Sequence, residues 1–281
     1  LRRLHRKLTV VDGRIAFVGG INIIDDMDTP GQTPPRFDYA VAVEGPLLVP
    51  IHRAAHHLWH LVAWASFRRR QPEPRPPAAP PPLDDVEAAF VVRDNLRHRR
   101  DIEEAYLEAI ASARSEVVIA SAYFLPGRRF RHTLVDAAQR GVRVVLLLQG
   151  RVEYLLLHYA TQTFYRALID AGVHIVEYRK SFLHAKVAVV DRHWATVGSS
   201  NIDPFSLLLA REANVIVRNS DFAFRLQSSL ETAMAEGGQE VSADDLRRRP
   251  LLIRAASWLA YAAVRLAIGM AGYGAGREYS G

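Results

Sequence analysis

Two histidines, each two residues ahead of a lysine, open the same frame at two places in the chain. His5 and Lys7 lead to Asp12, Gly19 and Asn22, and His184 and Lys186 lead to Asp191, Gly198 and Asn201. The offset is 179 residues at every one of these positions, and eight of the sixteen residues from Lys7 to Asn22 recur from Lys186 to Asn201. An internal duplication of this kind brings two imidazoles and two ammonium groups to one site. Two imidazoles on opposite sides of one phosphorus suit in-line displacement at a phosphodiester. One attacks while the other protonates the leaving alcohol, and each role needs a nitrogen that titrates near neutral pH. The reaction then passes through a phosphohistidine. Lys7 and Lys186, with Asn22, Ser199 and Asn201, are expected to hold the non-bridging oxygens, so the scheme requires no metal and no cofactor. Gly20 stands where the second copy has Ser199, which removes one hydroxyl donor from the first half.

An imidazole used in this way needs its far nitrogen oriented by a carboxylate. Glu212, 21 residues after Asp191, and Asp38, 26 after Asp12, are the candidates, each just before or inside the next strand. Asp12 and Asp191 belong to the motif but sit at hairpin turns, where aspartate commonly serves backbone geometry, so a structural role is favoured over a chemical one. Composition singles out the lysines. Of 36 basic residues only Lys7, Lys180 and Lys186 are lysine, and two of these three compact charges lie in the repeated frame.

The surrounding elements must carry these groups. Residues 5–11 and 14–18 alternate as strands about the Asp12-Gly13 turn, which puts His5 and Lys7 on one strand face. A strand is expected over 38–44 and a helix over 51–67. His52, His56 and His60 recur on that helix; they could offer a metal to two rings, but Trp59 and Trp64 beside them favour a packing or interfacial helix. Residues 71–83 hold seven prolines and read as a linker or exposed loop. Beyond it the pattern alternates: helix over 102–113, strand 117–121, helix 128–140, strand 142–148, helix 157–171, strands 173–178, 183–190, 195–197 and 213–217, and a helix over 221–235. This order predicts an α/β layered domain with a mixed sheet. Arg128, Arg129 and Arg131 follow a strand end, where lipid phosphates or solvent could meet them equally well. The divisions are 1–70, a remnant of a first half; 71–83, the proline-rich linker; 84–240, the second half; and 250–273, an apolar terminal segment. Four residues precede His5 and a long alternating pattern precedes His184, so the first repeat is expected to be truncated at its N-terminus.

The chain has 281 residues, 49% of them apolar, a formal charge of +6 and no cysteine, which excludes disulfides and thiolate metal sites. Its pI near 9.8 favours anionic partners, among which charge alone does not choose. In the terminal segment Arg254 and Arg265 interrupt the apolar run, so no span-length stretch remains. Arg254, Ser257, Tyr261 and Arg265 share one helical face, and the broad apolar remainder suits a helix lying in a membrane interface, the alternative being a helix packed on the domain.

The paired frame resembles the phospholipase D superfamily, whose signature is H-x-K-x4-D followed by a G-S or G-G turn and Asn. That resemblance implies an α/β/α sandwich of two pseudo-twofold halves with the active site between them, His5 as nucleophile and His184 as general acid then base. Phe17 to Asn22, Val43 to Pro46, Arg99 to Glu103, Ala122 to Pro126, Ser181 to Lys186 and Gly198 to Asp203 are similar to stretches of bacterial cardiolipin synthases of the B-type. The implied reaction moves a phosphatidyl group through the histidine to a hydroxyl of phosphatidylglycerol. The implied partners are anionic glycerophospholipids and a membrane surface rather than nucleic acid, at the cytoplasmic face of the bacterial cell membrane as a peripheral protein. The alternatives are a phospholipase D-like phosphodiesterase or nuclease, and an inactive truncated fragment that binds membrane.

Overall fold

The computed structural model describes residues 3–25, 27, 33–66, 86–94, 97–152, 154–248 and 250–268. The first half supplies β1 (Arg3–Leu4), β2 (Lys7–Val11), β3 (Ile15–Gly19), β4 (Ala40–Val43) and α1 (Leu48–Ala65). Strands β2, β3 and β4 form an antiparallel sheet in that order. Along β3, Ala16 and Val18 are buried while Phe17 between them is exposed, the period of a strand with one covered face. The covering side chains are Leu48 and Ile51 of α1 and Val215 and Val217 of the second half. Helix α1 begins three residues earlier than the periodicity predicts. Pro50 falls in its first turn, where a missing N–H costs nothing.

The second half runs β5 (Glu87–Arg93), α2 (Asp101–Ser112), β6 (Glu116–Ser121), α3 (Arg128–Gln139), β7 (Arg143–Gln149), α4 (Leu155–Asp170), β8 (His174–Tyr178), β9 (Lys186–Val190) and β10 (Trp194–Gly198). A π-helical turn at Phe205–Leu209 follows, then β11 (Ala210–Arg218), α5 (Ser220–Gly237), β12 (Gly238–Glu240), α6 (Ala243–Arg247) and α7 (Leu251–Ile268). The large sheet is mixed, in the order β1-β11-β10-β9-β6-β7-β8-β12 with β5 also on β11. Pairs β6–β7 and β7–β8 are parallel, and β6–β9, β9–β10 and β10–β11 antiparallel. Its central strands are continuously apolar because both faces are covered. Val117, Ile119, Val144 and Leu146 meet Ile110, Phe130 and Leu134 on one side. On the other, Val118, Ala120, Val145 and Leu147 meet Ala223, Leu226 and Leu230 of α5. This is the α/β layered architecture that the alternation predicts.

Strand β5 and the short β1 and β12 escape a reading based on periodicity. The proline-rich residues 71–83 lie outside the described residues, as do 269–273 at the end of the terminal segment. Helix α7 docks on α4: Ala260 and Val264 join Leu125 and Ala160 in a small cluster, Phe164 meets Tyr261 edge-on at 4.9 Å, and Thr163 Oγ1 donates to the Ser257 carbonyl at 3.1 Å. Ser257 and Tyr261, which the sequence places on one face with Arg254 and Arg265, thus lie on the packed side. Leu251, Leu252, Trp258, Leu259 and Leu266 point outward and are exposed. Among the described residues no helix is long and apolar enough to cross a membrane.

Both repeats turn at an aspartate with φ of +50°, Asp12 between β2 and β3 and Asp191 between β9 and β10. Asp191 also ties the turn to the α2–β6 loop. Its carboxylate accepts from Arg114 N at 2.8 Å, Ser115 N at 2.8 Å, Ser115 Oγ at 2.7 Å and Glu116 N at 2.9 Å. Burial pushes its pKa up, but these donors outweigh burial and hold it below the usual value. The Asp12 side chain is exposed. Asp191→Ala is therefore expected to lower urea stability by about 2 kcal/mol at pH 7 and Asp12→Ala by less than about 1. A carboxylate with a depressed folded pKa stabilises above its unfolded pKa and loses that contribution as pH falls. The Asp191→Ala deficit should accordingly shrink in acid, and a deficit independent of pH would contradict the hydrogen-bonded role.

Candidate active site

Each half contributes a hairpin whose third strand follows a loop, and register aligns the two. Gly19 pairs with Ala40 across β3–β4, and Gly198 pairs with Asn214 across β10–β11. Asp38 and Glu212 each stand two residues before those partners, so they hold equivalent places although 174 rather than 179 residues separate them. The sequence frame and the carboxylates differ by five positions because the connection from β3 to β4 is longer.

The carboxylates serve the opposite halves. His5 Nδ1 lies 2.9 Å and 3.1 Å from the two oxygens of Glu212, and His184 Nδ1 lies 2.6 Å from Asp38 Oδ2. Each ring donates Nδ1–H to its carboxylate, which leaves Nε2 with the lone pair of a neutral imidazole. Backbone contacts repeat the crossing. The His5 N–H donates to the Arg211 carbonyl at 3.1 Å, and the His184 N–H donates to the Phe37 carbonyl at 2.8 Å. The acceptor is in each case the residue immediately before the carboxylate.

The lysines are packed beneath the rings. Lys7 Nζ donates to the His5 carbonyl at 2.9 Å, and Lys186 Nζ makes the equivalent bond to the His184 carbonyl. Lys186 is 1% exposed. Burial brings its pKa down to about 8, with Asp38 opposing and Lys7 adding to the shift. Lys7 is lowered too, chiefly by burial. Burial likewise lowers His184; its bond to Asp38 opposes this, and Lys186 and Lys7 reinforce it. The crossed hydrogen bonds from His5 to Glu212 and from His184 to Asp38 bring the two frames together. With neutral rings the two ammonium groups balance the two carboxylates, and one ring proton gives the site the net positive charge that suits a phosphodiester anion.

Ser199 departs from its expected place. Its hydroxyl donates to Glu212 Oε2 at 2.5 Å and it is fully buried, so it steadies the carboxylate behind His5 instead of meeting a phosphate oxygen. Gly20 is the counterpart because Asp38 occupies the equivalent space; a Cβ there would collide with the Asp38 carboxylate. A glutamate with a serine behind it and an aspartate against a glycine are two ways of filling the same volume. Asn201 is 3% exposed with its Oδ1 3.4 Å from Tyr123 N, and Asn22 is half-buried. Asp12 and Asp191 remain at their turns, away from the rings. On α1, the His52 and His56 rings lie 4.4 Å apart and tilted at 46°, and among the described residues no group of three acidic, histidine or cysteine side chains is arranged to hold a metal.

Three residues that the sequence reading passed over support the site. Arg6 Nε donates to the Glu212 carbonyl at 2.9 Å and its Nη2 to the Arg93 carbonyl at 3.0 Å, locking the first frame to β11 and β5. Arg93 is buried and donates to the Ala210 and Leu208 carbonyls, and its strand gave no periodic signal. Asp203, visible as the acid two residues after Asn201, accepts from Phe205 N at 2.7 Å and Ser206 N at 3.1 Å; burial raises its pKa to about 6.

Lys186→Met should stabilise the protein at pH 7 by about 2 kcal/mol, being about 3 released from the displaced pKa less about 1 for a lost hydrogen bond. The folded protein holds this proton more weakly than the unfolded chain, so the parent gains stability as pH rises from about 8 towards 10.5. The variant's advantage in urea unfolding should therefore shrink over that window. A variant less stable than its parent at pH 7 would show that Lys186 is not held at a cost.

Residues 106–234 match the family described as cardiolipin synthase, phospholipase D-like domain. The chain is 41% identical over 254 residues to cardiolipin synthase B of Escherichia coli strain K12, which covers 88% of this chain and 60% of that relative. It is 27% identical over 259 residues to the minor cardiolipin synthase of Bacillus subtilis strain 168, covering 92% of this chain and 62% of the relative. The chain thus spans about three fifths of the length of these curated relatives. The crystal structure of phosphatidylserine synthase from Haemophilus influenzae shares the fold, with a TM-score of 0.69 at 12% identity over 96% of this chain and 70% of that one.

Proposed function

The chain belongs to the phospholipase D superfamily and is similar within it to B-type cardiolipin synthases, and from that premise we propose that it transfers a phosphatidyl group between lipid alcohols. The observation that carries the reading is the pair of imidazoles, each braced by a carboxylate from the opposite half, with the buried ammonium group of Lys186 and the half-buried one of Lys7 beside them. His5 Nε2 attacks the phosphorus of a glycerophospholipid, and the bond to the headgroup oxygen breaks as His184 gives that oxygen a proton. The acceptor hydroxyl of phosphatidylglycerol then gives its proton to His184 and attacks the phosphohistidine. The P–N bond breaks, cardiolipin forms and His5 is restored. Lys7 and Lys186 hold the non-bridging oxygens, aided by Asn22 and Asn201. The carboxylates keep each ring in the tautomer that presents Nε2 and stabilise its cationic or phosphorylated form.

One observation favours the reverse allocation of roles: burial lowers the pKa of His184 and so favours its neutral ring, as a nucleophile requires. Acid-quenched turnover with labelled lipid distinguishes the two, because the label is expected on the peptide containing His5, and label on the His184 peptide would exchange the roles. His5→Ala and His184→Ala should each reduce cardiolipin formation, read by mass spectrometry, by about a thousandfold or more. Full activity in either variant, or cleavage of DNA with no lipid product, would overturn the transferase reading. Membrane contact is assigned to the outward face of α7, where Leu251, Leu252, Trp258, Leu259 and Leu266 are exposed beside Arg247 and Arg248. The protein then works as a peripheral protein at the cytoplasmic face of the bacterial membrane.

A further inference from the structure

At the carboxyl ends of the parallel strands β6 and β7 lies a shallow recess, open to solvent, lined by Tyr123, Gln149, Arg151, Tyr154, Leu157, His158 and Thr161. Three independent features of its wall select an anion. Helix α4 starts here with Tyr154 as its N-cap, with no side-chain cap and no acidic residue in its first turn, so among the described residues nothing compensates its free amide N–H groups and the positive end of its dipole. Gln149 is 9% exposed and its Nε2 has no protein partner. Its Oε1 accepts from Arg151 N at 3.3 Å, which fixes the amide with its donor end unspent. Arg151 donates only to neutral acceptors, the Arg179 carbonyl at 2.9 Å and the Lys180 carbonyl at 3.4 Å, and among the described residues no carboxylate pairs with it. Glu153 lies outside the described residues.

An unsatisfied amide donor, an unneutralised guanidinium and a bare helix start are together the chemistry of a phosphate site. Its position says which phosphate. Strand β7 is separated from β9, which carries Lys186, by β6 alone, two strand spacings or roughly 10 Å. Tyr123, in the recess wall, meets Asn201 of the second frame through its backbone N–H. Two phosphates joined through one glycerol lie closer together than that, and the side chains that hold them from the two strands span the difference.

We propose that this recess binds the phosphodiester of the acceptor lipid, holding phosphatidylglycerol by its own phosphate while its free hydroxyl reaches the phosphohistidine. The inference rests on the transferase reading and adds that acceptor choice is set by charge as well as by the hydroxyl. Gln149, Arg151 and the first turn of α4 are the specificity-determining groups. A neutral alcohol such as glycerol has no use for them.

The test offers the intact protein labelled phosphatidylglycerol and deuterated glycerol together and measures cardiolipin against deuterated phosphatidylglycerol. Arg151→Gln and Gln149→Met are each expected to lower that ratio by about tenfold or more through the KM for the lipid acceptor. An unchanged ratio in both variants overturns the proposal. Calorimetric titration with soluble dihexanoyl phosphatidylglycerol in a His184→Ala background reads binding without turnover, and Arg151→Gln should weaken it by a similar factor; equal binding again overturns the proposal. Inorganic phosphate binding as tightly as the short lipid would make this a free-phosphate site and overturn the lipid assignment. Loss of both products in the unaltered protein, with Arg151-dependent lipid binding retained, would refute the transferase reading while leaving the phosphodiester site in place.

Discussion

Reciprocal bracing across the two halves is the constraint on which the rest of the site depends. Each histidine of the repeated frame is held at its backbone N–H by the carbonyl before a carboxylate and at its ring by that carboxylate, and both acceptors come from the other half. Neither half can therefore build a working imidazole alone. Disturbing one carboxylate leaves the opposite histidine with a free choice of tautomer, and for the buried His184 it also leaves a ring donor without a partner, which costs more than the hydrogen bond contributes. This arrangement also explains the short pairings of β1 with β11 and of Phe37 with Leu183, too brief to stabilise a sheet on their own yet placed where they set the distance between the halves.

The lysines work against stability for the same reason that they serve binding. A buried ammonium with its pKa drawn down to about 8 is a charge held in a medium that disfavours it. Asp38 and Glu212 hold both lysines charged in part, but those carboxylates also hold the histidines, and a phosphodiester anion arriving above the lysines supplies the missing compensation. The site is thus strained towards an anion before one arrives. Charge that water would otherwise solvate is already fixed in place, which is how preorganised dipoles and ions lower a barrier.

The repeated frame, the alternation of helix and strand and the two carboxylates were legible because each rests on a local signal: spacing, periodicity, or the nearest acid before a strand. The crossing of the carboxylates between halves was not legible, since nothing local in Asp38 or Glu212 states which histidine it will meet. Ser199 was misread for a related reason. A serine in a phosphate-binding turn and a serine bonded to a buried glutamate have the same sequence, and only the extra methylene of Glu212 over Asp38 forces the second role. Strand β5 went unseen because its ladder with β11, from Glu87↔Arg218 to Arg93↔Glu212, is what makes it a strand. In α7 the polar stripe was identified, but its direction depends on α4, where Thr163 offers Ser257 a hydroxyl and Phe164 offers Tyr261 a ring.

Helix α4 links the two assignments made for the lipid. Its first turn forms one wall of the phosphate recess, and its flank carries α7, whose packed side meets Ala160 and Phe164 and whose outer side is apolar. A membrane contact made by α7 would therefore fix the height and tilt of α4, and with it the distance of the recess from the lipid headgroups. An acceptor held by its phosphate needs that distance to be constant, because its hydroxyl has only one glycerol of reach. An acceptor from solution does not. The same rigid helix that orients the protein on its substrate surface would then also favour lipid alcohols over water and free glycerol, without any group that repels either one.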